Sequence, residues 1–211
     1  MTREMPNALF RIGGISSIAA GVLMTAGFAL HPAGEEPTFG THPLWVPAHG
    51  LLWLAFTVAL LGWTALYAAQ ASRAGSLGVA AFTVIVLGTS FASWIFSSDV
   101  TFVPVIAARH PALFKEIFTT GHVVIGIASV LSWVLGNVLF GISVVRAKVF
   151  PRWAGLLLVL GTVVIPIAYL AGLSVRVVGI GGAVAGAGQV WLGYALLRAI
   201  GPRTIPEPSS I

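Results

Sequence analysis

The chain has 211 residues, of which 57% are hydrophobic and 8% charged, with a mean hydropathy of +0.98. Soluble domains carry roughly 25% charged residues, so too few polar side chains exist here to cover a water-facing surface. The formal charge of +5 comes from scattered Lys and Arg rather than a basic stripe, which argues against a nucleic-acid partner. The absence of cysteine excludes disulfides, cysteine-ligated iron–sulfur clusters and thiolate nucleophiles.

A helix needs about 20 apolar residues to cross hydrocarbon, where backbone polar groups must be satisfied within the segment. Six stretches qualify: 12–30, 47–69, 77–96, 119–145, 154–173 and 177–200. The first follows Arg3 and Arg11 as a signal peptide would, but it is longer and has no small-residue cleavage site before His31. It reads as a retained span. The second opens with HPLWVPAHG at 42–50, where Pro47 suits the first turn of a helix and Trp45 suits an interfacial anchor.

Between the third and fourth spans, TFVPVIAARHPALFKEIF is amphipathic enough to lie in the interface, with Pro111 placed to start a helix. Pro166 predicts a kink in the fifth span. In the sixth, Gly182 and Gly186 form a small-xxx-small packing face. Asn137 and Gln189 lie deep in their spans and are expected to hydrogen-bond across helices. The fold class is therefore an all-α polytopic transmembrane bundle of six helices. A single domain covers 1–200, and the proline-rich stretch 201–211 reads as a disordered cytoplasmic tail.

Basic residues orient the bundle. With the N-terminus inside, the inner segments hold Arg3, Arg11, Arg73, Arg146, Lys148, Arg152, Arg198 and Arg203, and the outer ones hold Arg109, Lys115 and Arg176. Both termini are then cytoplasmic. All five histidines, His31, His42, His49, His110 and His122, fall at or near the outer face with Glu35, Glu36, Asp99 and Glu116.

An internal repeat runs through the middle of the chain. VLGT occurs at 86–89 and 159–162, and the same offset of 73 pairs His49 with His122 and Arg73-Ala74 with Arg146-Ala147. The reading is a duplicated hairpin, spans 2–3 and 4–5, with His49 and His122 at similar depth.

These two histidines lie inside the start of a span, where ionisable groups are costly and face the bundle interior. Two imidazoles on separate helices suit bis-His ligation of a b-type haem. Gly50, Gly121 and Gly126 would make room for the macrocycle, Trp53 shares a face with His49, and Arg109, Lys115 or Arg176 would pair the propionates. The reading is an outer-leaflet ligand site between spans 2 and 4, most sharply that of a haem b electron-transfer protein exchanging electrons with quinol or another membrane subunit. One alternative is a lipid-binding protein or accessory subunit without cofactor. Another is a metal-dependent hydrolase, with His49, His122 and the outer His, Glu and Asp residues binding a divalent metal, although no HExxH-type spacing is present. No acidic residue lies deep in a span to carry an ion, which weakens a transporter reading.

The run from His31-Pro32 through PLWVPAHG to LLGWTALYA, with LGNVLFG and FPRWAGLLLVLGT, resembles a family of small six-span bacterial integral membrane proteins of unknown function. That resemblance implies a bacterial inner-membrane location and six spans, and no activity.

Overall fold

The computed structural model describes residues 4–32, 39–119 and 121–200, and among these it is all-helical, without a strand. The expected tail at 201–211 lies outside the described residues. The helices are α1 (Glu4–Leu30), α2 (Trp45–Thr101), α3 (Val103–Arg109), α4 (Pro111–Thr119), α5 (Gly121–Ala147), α6 (Arg152–Leu170) and α7 (Val175–Ile200), with a 3-10 turn at Phe39–Thr41.

Length and composition alone qualify Ala8–Leu30, Trp45–Arg109, Val124–Ala147 and Val175–Ala199 as membrane-crossing stretches. The second of these spans twice. Gly75 has φ 57° and ψ −157°, a non-helical conformation open essentially to glycine alone, and it breaks α2 into arms 45–74 and 76–101. The sixth crossing is α6, whose 19 residues reach about 28 Å, close to the hydrocarbon thickness. Six helices therefore fit the bundle. Where a loop was expected near 70–76, the chain stays helical apart from this one residue.

Other helix ends follow from local chemistry. α6 closes in a Schellman turn, with Gly172 at φ 63° and Leu173 N–H donating to the Ala168 carbonyl at 2.9 Å. Pro111 starts α4 as expected, because its missing N–H is one that a first turn leaves unused.

The helices form a closed ring in which α1 packs between α7 and α2, α2 meets α5, and α6 joins α5 to α7. Glycines set these contacts by letting backbones approach. A Cβ on Gly62 would meet Ser17 at 3.1 Å, one on Gly136 would meet the Ile85 backbone at 2.5 Å, and Gly161 faces the Ala185 backbone. Gly182 and Gly186 do form a packing face, against Phe28 and the Gly21 carbonyl of α1. Trp63, Phe140, Leu52 and Leu192 are fully buried inside, while Ile12, Ile15, Leu54, Val79, Leu131 and Ile180 face outward. An apolar exterior is what lipid requires.

Two expectations need correction. The Asn137 amide does not cross helices; its Nδ2 donates to the Trp133 carbonyl at 2.8 Å on its own helix, since a short amide reaches one turn back without a partner. Between α1 and α7 the bond is made by the Gln189 backbone carbonyl, which accepts from Ser17 Oγ at 2.9 Å. The Gln189 Nε2 has no hydrogen-bond partner among the described residues. Pro166 falls inside α6, in its last turns before Leu170.

Candidate functional site

Polar side chains converge at one end of the bundle, where α1 ends, α2 begins and its second arm ends. Trp45 and His49 are one helical turn apart on α2, so their rings overlap, stacked with centroids 3.9 Å apart and planes 21° from parallel. His49 Nδ1 lies 2.9 Å from the Trp45 carbonyl, a contact made by the Nδ1–H tautomer. Its Nε2 is 3.8 Å from Asp99 Oδ2 on the last turns of the second arm. That separation exceeds a hydrogen bond and lies within ion-pair reach.

The indole also ties the arms. Trp45 Nε1–H donates to the Asp99 backbone carbonyl at 2.8 Å, linking residues 54 apart in sequence. Val103 of α3 and Phe114 of α4 form a buried cluster with Trp45, and Ile106 and Ala107 pack against it. The interfacial segment therefore caps the site rather than lying detached from it.

Just past the end of α1 comes His31, with its ring centroid 4.9 Å from His49 and 6.1 Å from Trp45. His31 Nδ1 sits 3.2 Å from the Pro32 carbonyl. Burial holds the His31 pKa below its usual 6.5, and the Pro32 carbonyl offsets part of that by favouring the protonated ring.

Beneath His49, Phe96 contacts its ring at 5.7 Å and stacks on Phe56 at 5.2 Å, while Trp133 of α5 meets Phe56 edge-on at 5.4 Å. These aromatics wall a cavity of about 200 Å³ between the two arms of α2 and α5. Phe28 and Ile165 close it from α1 and α6, and Gly126, Ser129 and Val130 form the α5 side. A Cβ on Gly126 would meet nothing within 4 Å. Among the described residues, Ser129 contributes the hydroxyl in an otherwise apolar and aromatic lining.

Of the residues singled out from sequence, His49 is buried at this site and Gly126 lines the cavity beneath it. Trp53 does not join them. It is 38% exposed, because each four-residue step rotates the side chain by about 40° and two steps carry Trp53 well away from Trp45. Arg109 is exposed at the end of α3. His122 lies in the first turn of α5, and its side chain lies outside the described residues, as do Glu35 and Glu36. His42 is exposed, its Nδ1 accepting from Leu44 N–H at 3.1 Å. Among the described residues, no group of three or more His, Asp or Glu side chains could hold a metal ion.

The sequence placed His31, His49 and Asp99 together at the outer face and put a ligand site between spans 2 and 4, which are the first arm of α2 and α5. It did not yield the direct contact of these three side chains or the aromatic walls of the cavity.

No protein family, curated protein or solved structure matches this chain. The site must be read from its own chemistry.

Proposed function

We propose that this integral membrane protein binds a small, lipid-soluble apolar molecule in the cavity between α2 and α5. The observation that carries this reading is an apolar space of about 200 Å³, walled by Phe56, Phe96 and Trp133, in a protein whose exterior faces lipid. An apolar cavity of roughly 150 Å³ stays dry and takes benzene, so this one suits a ring-sized group or a chain end. Phe96 separates it from His49, and rotation of that ring would expose a polar imidazole and carboxylate to the ligand.

The bundle is placed in a bacterial inner membrane with both termini inside and this site in the outer leaflet. The asymmetry of Arg and Lys supports that orientation. The hairpin repeat is supported by matched environments: Gly88 and Gly161 each meet the backbone of the next span, at Trp133 and Ala185, and Thr89 and Thr162 are each fully buried.

The haem reading requires His49 Nε2 to turn from Asp99 toward iron, and a tetrapyrrole is far larger than the cavity. The apolar-ligand reading is therefore preferred, and one preparation separates the two. Solvent extracts of detergent-purified protein are analysed by mass spectrometry for the wild type and Gly126→Leu. A Cβ at this position meets nothing within 4 Å and Gly126 lines the cavity, so the leucine side chain takes up its space and a ligand present in the wild type should be absent from a stably folded variant. Identical extracts overturn the proposal. A Soret band that disappears in His49→Ala would establish the haem reading instead.

A further inference from the structure

A second site lies on the lipid-facing side of α1 and α7. At the His49 end, a pocket of about 520 Å³ opens between the end of α1, the approach to α2 and the start of α7. His31, His42 and Arg176 contribute to its lining, and among the described residues no carboxylate does. Below it a shallow apolar groove of about 710 Å³ runs between the same two helices, past Ala187 to Trp191 and Tyr194. The pocket and the groove share Thr25, Ala29 and Ala183, so they form one continuous channel.

We infer that this channel holds one anionic phospholipid, its phosphate at Arg176 and His42 and an acyl chain along the groove. The Arg176 guanidinium offers a fork matched to two phosphate oxygens. His42 accepts from Leu44 N–H through Nδ1 at 3.1 Å, which leaves Nε2–H as its remaining donor. The positive end of α7 adds in the same direction. From Ala183 to Tyr194 the groove extends about 16 Å along α7, enough for much of an acyl chain within one leaflet. Small side chains from both helices make the floor, and Trp191 and Tyr194, both exposed, form the far rim. A basic end at the interface continuous with an apolar trough matches the charge and shape of such a lipid. The inference does not depend on the occupant of the α2–α5 cavity.

Native mass spectrometry of the full chain, released from detergent with phosphatidylglycerol, phosphatidylcholine or oleate added separately, tests it. One phosphatidylglycerol per chain should be retained, with half-saturation about ten-fold below that of phosphatidylcholine, the effect of one charge-assisted contact. Arg176→Gln should bring phosphatidylglycerol to the phosphatidylcholine level, and Ala187→Phe should weaken both by filling the trough. Both positions are exposed, and unchanged thermal unfolding of the variants would show that the fold is kept. Equal retention of the two phospholipids, or no effect of Arg176→Gln, overturns the inference. So does oleate binding in preference to phosphatidylglycerol, or a dimer that Ala187→Phe dissociates, which would make the groove an interface between copies.

Discussion

The indole of Trp45 stacks on His49 and donates to the Asp99 carbonyl, so one side chain both covers the imidazole and fixes the carboxylate-bearing turn beside it. His31 completes the group from just past the end of α1, and it is the member whose titration is accessible at the membrane edge. Its pKa is lowered by burial, so the folded protein binds this proton less readily than an exposed imidazole does. The stabilisation from a neutral His31 is complete above pH 6.5 and is lost as pH falls through the lowered folded-state value. A ring NMR titration of His31 should therefore show a midpoint below 6.5. The fall in thermal stability on acidification from pH 7 should be smaller in His31→Asn. A midpoint at or above 6.5 would contradict the half-buried placement of this ring against His49. None of this was legible locally, because a histidine before proline at a helix end reads as a solvated cap.

At the scale of elements, glycine does two different things in α2. Gly50 and Gly75 both have open space where a Cβ would go, but only Gly75 has a backbone that other residues avoid. Gly75→Ala should destabilise the protein by about 1–3 kcal/mol through backbone strain alone. Gly50→Ala, in regular helix, should stabilise it by about 0.5–1 kcal/mol. Reversible unfolding in mixed SDS micelles would measure both, and equal effects at the two sites would show that the corner between the arms is not strained. The six spans, Pro111 at a helix start and the Gly182–Gly186 face were all legible, since each depends on residues close in sequence. Trp53 was misplaced because helical spacing fixes relative angles on one helix but not which angle faces the bundle. The same gap explains Asn137, whose amide turned back on its own helix.

Across the whole molecule, the ring of helices puts His31, His49, Asp99, α3 and α4 at one end and the α5–α6 connection at the other. The proposed orientation makes the first end external. Because the chain has no cysteine, single cysteines can report on this without removing any native one. Leu173 and Val149 are exposed in the connections at opposite ends. Leu173→Cys should react with a membrane-impermeant maleimide on intact cells, and Val149→Cys only after permeabilisation. The reverse pattern would invert the bundle and move the His49 site to the inner leaflet.

Composition and hydrophobic run length were enough to determine a helical membrane protein with six crossings. Both are sums over neighbouring residues, and lipid leaves the backbone few alternatives to a helix. The pairing of His49 with Asp99, the aromatic cavity under Phe96 and the channel between α1 and α7 each combine residues tens of positions apart. Which faces meet is set by the rotation of every helix about its axis, and close glycine contacts around the closed ring fix that rotation. Only the tertiary structure could therefore decide that His49 sits against Trp45, His31 and Asp99 above an apolar cavity.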